Sequence, residues 1–164
     1  MSQPSPRRAD RHSRHSGTDT QHAAMRLTLS LRADYAVRAM VSLAAVESPV
    51  PVSARALADR MAIPARFLPH VLSDLSRAAL VVGTPGRNGG YRLARPAEAI
   101  DLLSIVDAAE TRPGAATCVL RGGPCAPDGR CAVHDAFSAA REATRDTLRA
   151  TTLSQVARRF TAAS

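Results

Sequence analysis

SARALADRMAIPARFLPHVLSDLSRAALVVGTPGRNGGYRL, residues 53–93, decides the fold. The Ser53 hydroxyl can accept a hydrogen bond from the open first turn of a short helix over Ala54–Met61, which carries Leu57 and Ala58 on its apolar side. Ala62-Ile63-Pro64 makes a turn, and the spacing predicts a longer helix from Ala65 to Ala79. Within it Phe67, Leu68, Val71, Leu72, Leu75 and Ala79 form a stripe for burial, leaving Arg66, His70, Ser73 and Arg77 mostly outside. Helix, tight turn and longer helix make a helix-turn-helix. Leu80-Val81-Val82 and Tyr91-Arg92-Leu93 then read as strands flanking a glycine-rich tip, Gly83 to Gly90, so the hairpin is a wing.

Upstream, residues 30–46 read SLRADYAVRAMVSLAAV. Leu31, Tyr35, Val37, Met40, Val41 and Ala44 recur at helical steps behind a Ser30 cap, and residues 48–51, SPVP, end that helix. Downstream, residues 99–110 make a fourth amphipathic helix, stopped by Arg112-Pro113-Gly114. A long helix follows over Ala132–Ala150, with Val133, Phe137, Ala140, Thr144 and Leu148 along one side. Thr152 caps a last short helix bearing Leu153, Val156 and Phe160. So long a stripe exceeds what a small domain buries by itself, which predicts a two-fold symmetric homodimer. The expected fold is mainly α with a small β wing. It comprises a winged helix-turn-helix domain over 25–98, a connecting helix and cysteine loop over 99–131, and a dimerisation helix with a short terminal helix over 132–164. Residues 1–24 lack large aliphatic residues after Met1 and read as a disordered basic extension, in which four arginines against two aspartates leave only +2.

The 164 residues are 45% apolar and include 32 alanines but only five aromatics and no tryptophan, a composition for an aliphatic, helical core. No run of 18 or more apolar residues occurs and no signal-peptide pattern opens the chain, so membrane and secreted classes are excluded and a cytoplasmic location is expected. There is no C-x-x-C pair, no nucleotide-binding glycine loop ahead of a helix and no triad or paired-carboxylate arrangement; an enzyme, a thiol oxidoreductase included, is disfavoured, and no small-molecule substrate is expected. The net charge of +8 comes from arginine alone, since lysine is absent. It favours an anionic partner, double-stranded DNA.

In a winged helix the second helix of the motif enters the major groove and the wing reaches backbone or minor groove. Arg66, His70, Ser73 and Arg77 are the expected groove-facing residues. Arg87 at the wing tip suits a phosphate or a narrow minor groove, and Arg55 a phosphate.

Three passages carry a family resemblance: residues 29–36, LSLRADYA; the wing, residues 89–94, GGYRLA; and Cys118 to His134. Over residues 25 to 160 the chain resembles the Rrf2 family of bacterial winged-helix regulators. The resemblance implies a dimeric transcriptional repressor or activator whose DNA affinity is set by a cluster in the three-cysteine loop, and a repressor is expected here. One departure from the family pattern is Pro69, where a helix former is usual; it removes an intrahelical bond and crowds the carbonyl of Ala65, predicting a groove-facing end that is tilted or starts late.

The cysteine segment is spaced C-x6-C-x5-C-x2-H through Cys118, Cys125, Cys131 and His134. Zinc sites usually use C-x2-C knuckles, whereas wide gaps with Gly-Gly-Pro and Pro-Asp-Gly turns let a loop wrap a larger object, an iron-sulfur cluster. Cys131 and His134 stand i and i+3 and can face one site. For the cofactor, 2Fe-2S is favoured over 4Fe-4S. Resemblance to the nitric-oxide-sensing branch makes Asp34, supplied by the partner subunit, the alternative fourth ligand. A zinc site and a metal-free thiol redox switch stay open beside the cluster.

Overall fold

The computed structural model describes residues 29–46, 50–110 and 131–163. The expected N-terminal arm, Cys118 and Cys125 lie outside the described residues. Helix α1 (Leu31–Ala44) is capped by Ser30, whose Oγ accepts from the Ala33 amide at 3.1 Å. Its Ala33, Ala36, Ala39 and Met40 have no accessible surface, because α1 lies at the centre of the packing, against the elements described next. Leu31, expected in the stripe, is instead 58% exposed, since the first position of the helix points away from that centre.

The helix-turn-helix follows as α2 (Ala54–Arg60) and α3 (Leu68–Arg77), with the Ser53 cap made as expected, Oγ to the Ala56 amide at 3.1 Å. The predicted start of α3 at Ala65 is corrected by three residues. Residues 65–67 form a turn in which the Phe67 amide donates to Pro64 O at 2.9 Å. Pro69 thereby becomes the second residue of α3, where an amide has no acceptor within the helix and a missing N–H costs nothing. The late start anticipated from Pro69 is what the chain adopts.

The other end of α3 is corrected too. Ala79 is exposed, not part of the buried stripe, and adopts a left-handed φ of 53°. The Leu80 amide donates to Leu75 O at 2.9 Å and the Ala79 amide to Ser76 O at 3.0 Å, the paired bonds of a Schellman stop. That stop turns the chain into β1 (Val81–Thr84), which pairs antiparallel with β2 (Gly90–Leu93), Val81 opposite Leu93 and Thr84 opposite Gly90. The strands thus extend into the glycine-rich run and shorten the tip to residues 85–89. Val52 adds two further bonds, its amide to Tyr91 O at 2.9 Å and the Tyr91 amide to Val52 O at 2.8 Å, tying the chain before α2 to the wing. A Cβ on Gly90 would lie 2.5 Å from Val52 O, so this pairing requires glycine.

The fourth helix starts later than predicted. Ala97–Ala99 is a separate 3₁₀ turn, Ile100 is extended, and α4 (Leu102–Ala109) is capped by Asp101, which accepts from the Ser104 amide at 2.8 Å and its hydroxyl at 2.7 Å. Burial by itself raises the Asp101 pKa, but the two Ser104 bonds, its own backbone amide and the Arg95 charge together outweigh it and hold the carboxyl below its usual 3.8. The long helix α5 (His134–Ala150) begins two residues late and contains no buried residue. Val133, Thr144 and Leu148 of its predicted stripe are half-buried, whereas Ala140 and Phe137, 41% accessible, are exposed. Arg145 anchors α5 to α4 by a two-point pair with Asp107, at 3.2 and 3.0 Å. The last helix, α6 (Leu153–Ala163), has a reciprocal cap: Thr152 Oγ1 accepts from the Gln155 amide at 3.4 Å and Gln155 Oε1 from the Thr152 amide at 3.1 Å. The Leu153 side chain is fully buried and its amide donates to Ile100 O at 2.8 Å, while Phe160 is 41% exposed.

A left-handed conformation at a residue with a Cβ stores about 1 kcal/mol. Ala79→Gly relieves it at the position where Schellman stops favour glycine, less the extra freedom that glycine gives the unfolded chain. The variant should be more stable by up to about 0.5 kcal/mol, measured as a higher urea midpoint at unchanged m-value.

Candidate nucleic-acid interface and cysteine segment

The exposed side of the helix-turn-helix gathers most of the residues expected at DNA. His70, Ser73 and Arg77 are all exposed on α3; at about 100° per residue they fall within about 60° of one another around the helix. Arg66 is exposed but belongs to the turn ahead of α3, with its guanidinium carbon 4.8 Å from the centre of the Phe67 ring. This stacking leaves the guanidinium edge free to donate hydrogen bonds. Arg55 is exposed on α2, 3.9 Å from the Asp59 carboxylate, a loose pair of little energetic weight. Arg87 is exposed at the wing tip, beside Gly86 at a left-handed φ of 104°. Between wing and α2 runs an open groove lined by Ser53, Thr84 and glycines 83, 86, 89 and 90.

The structure adds basic residues that the pattern reading missed. Arg92 is exposed on β2 and Arg60 at the end of α2. Both lie in runs read for their apolar periodicity, so their charge went unused. Asp74 was also missed: it is a buried carboxylate in α3, 4% accessible, contacting Arg32 of α1 and Arg77. The Asp74/Arg77 spacing of three was visible in the sequence, but the burial and the partner on α1 arise only from tertiary packing.

Of the predicted cluster ligands, Cys131 and His134 are described. Cys131 is half-buried just before α5, and His134 is the first residue of that helix, its amide donating to Cys131 O at 2.9 Å. One turn therefore brings both donor residues together. Asp34 is in the first turn of α1, its two carboxylate oxygens engaged by Arg38, at 2.7 Å to Nη2 and 3.3 Å to Nε. The segment holding Cys118 and Cys125 leaves α4 at Glu110, whose Oε1 accepts from the Ser30 amide at 3.4 Å. Among the described residues no group of three or more His, Cys, Asp and Glu is poised to hold a metal ion. Among them, too, no helix is long and apolar enough to cross a membrane.

The sequence profile of the Rrf2 family, described as an iron-dependent transcriptional regulator, matches residues 29–159. The chain belongs to the Rrf2 family. Rrf2 proteins are transcriptional regulators, not enzymes, and bind DNA in that role. A Mycobacterium tuberculosis relative named as an HTH-type transcriptional regulator, Rv1287, is 34% identical over 131 residues, 80% of this chain and 81% of that one. Among solved structures, the chain is similar to CymR, the global cysteine regulator of B. subtilis, at 26% identity and a TM-score of 0.67 over 80% of this chain and 97% of CymR. It is equally similar to T. potens IscR, at 25% identity and a TM-score of 0.67 over 81% and 88%. The winged-helix fold expected from residues 53–93 is the fold of these neighbours.

Arg87→Ala is expected to weaken binding to a duplex selected from a random pool by roughly 1–3 kcal/mol if the guanidinium reads a groove, and to lower the salt slope by about one if it neutralises a phosphate. Titrations across a salt series separate the two roles. Unchanged affinity and slope would remove the wing from the interface.

Proposed function

We propose that this Rrf2 regulator is a cytoplasmic homodimeric repressor whose operator affinity is set by an iron-sulfur cluster on Cys118, Cys125, Cys131 and His134. The observation that carries the reading is the pairing, on one chain, of a helix-turn-helix and wing that expose Arg55, Arg66, Arg77 and Arg87 with three thiols in the connection between α4 and α5. The donor chemistry fits: three thiolates suit iron and sulfide, and the turn joining Cys131 to His134 supplies a thiol and an imidazole from adjacent positions. Such a cluster supplies a redox- or nitric-oxide-sensitive group, and imidazole in place of a thiolate raises its reduction potential. Of the two nuclearities, 2Fe-2S is the proposed form. The family's description as iron-dependent supports the reading.

Residues 66, 70, 73, 77 and 87 are assigned to the groove and wing contacts, and Arg55 to a phosphate. The absence of buried side chains on α5, together with Phe137 and Phe160, supports its use as the dimer seam. On this division residues 25–98 read DNA, 99–131 hold the sensor and 132–164 join the subunits. The likeness to a cysteine regulator supports a second reading, in which the same thiols switch by oxidation without metal.

Protein purified without oxygen should be coloured and contain iron and acid-labile sulfide. Colourless protein with stoichiometric zinc, or with no metal and a reversible disulfide, would replace this reading by one of its alternatives. Cys125→Ala should lose the cluster yet keep its helical circular dichroism. His134→Ala should alter the spectrum and make the cluster more labile, whereas Asp34→Ala should leave it unchanged. The reverse pair of outcomes would make Asp34 the fourth ligand.

A further inference from the structure

Asp74 sits on the helix assigned to the groove, where a negative charge opposes DNA phosphates. It is also buried, and a buried ion pair is no better for stability than a well-packed apolar side chain of its size. Neither affinity nor packing accounts for it. Its geometry does: Oδ1 accepts from Nη2 of Arg77, one turn along α3, and Oδ2 faces Nη2 of Arg32 on α1. Among the described residues the buried Arg32 Nε and Asp74 Oδ2 both lack a hydrogen-bond partner, so the two side chains compensate one another as an ion pair and not through a hydrogen bond. Arg77 in contrast is 71% accessible and lies in the last turn of α3, four residues before the wing begins at Val81. One carboxylate thus fixes an otherwise flexible, solvent-facing guanidinium to a buried anchor.

We propose that Asp74 is the positioning residue of the DNA-reading surface: it touches no DNA but holds the Arg77 guanidinium in its contact geometry, braced on α1 through Arg32. This rests on the reading of α3 as the groove-facing helix. An unrestrained arginine loses rotamer freedom on binding, whereas one already held by a carboxylate presents its remaining donors in place. The consequence runs against simple electrostatics. Removing this acid should weaken specific binding, although it raises the protein's positive charge.

The test measures affinity of the holoprotein for a duplex selected from a random pool and for a scrambled duplex of equal length. Asp74→Asn is expected to lose about tenfold on the selected duplex and nothing on the scrambled one, and to add less than about twofold in an Arg77→Ala background. Tighter binding to both duplexes, or an undiminished loss in the Arg77→Ala background, would overturn the proposal. Arg77→Lys, an exposed change, serves if Asp74→Asn fails to fold: it keeps the charge without the fork, and wild-type discrimination in it would equally overturn the proposal. His70→Ala separates the two levels. If it weakens selected-duplex binding while Asp74→Asn does not, the positioning role fails and the α3 reading stands. If neither changes binding, both fail.

Discussion

Ala33, Ala36 and Ala39 allow α3, α4 and α6 to approach one helix closely, and the rest of the molecule is arranged around that approach. Helix axes come together only as near as the side chains between them permit, and methyl groups permit the most. A larger residue at any of these positions would force the packed helices apart. The consequence reaches beyond stability. Helix α3, assigned to the groove, and helix α4, which leads into the cysteine segment, both rest on α1.

Polar contacts at the start of α1 reinforce this arrangement. Ser30 caps the helix and its amide meets Glu110 at the end of α4; Arg32 meets Asp74 of α3; Asp34 is held by Arg38. Two turns of α1 therefore touch both the last described residue before the cysteine segment and the buried acid of α3. On the proposed function, a change in the cysteine segment that shifted α1 would be felt at α3 through an ion pair with one defined geometry. This supplies a two-ended mechanical element of the kind that a coupling between sites requires.

Most of this architecture could be read before any coordinates, because capping serines, apolar periodicity and a glycine-rich hairpin are local signals. Ser30, Ser53 and Thr152 cap the helices they were expected to cap. The errors lie where local and tertiary preferences compete. Periodicity extended α3 over residues 65–67, but Pro69 fits only in a first turn; it carried α3 on to Ala79, but the chain must reverse there to enter the wing. Leu31 matched a buried stripe by spacing but is exposed as the first residue of α1, whereas Phe137 and Phe160 lie on the stripe expected to exceed what one chain buries. Asp74 was out of reach for a different reason: its partner on α1 lies 42 positions earlier in the sequence, and no periodicity reports such a pair.

The central claim is that the cysteine segment governs the DNA-reading face, and a ligand shifts a regulator only by its differential affinity for two states. The most direct measurement compares affinity for one selected duplex between anaerobic holoprotein and the same preparation after gentle removal of its iron. The account expects a change of at least about tenfold, or about 1.4 kcal/mol, at constant salt. Equal affinity of the two forms across several selected duplexes would contradict it, leaving the cysteines a structural part of a regulator with its input elsewhere.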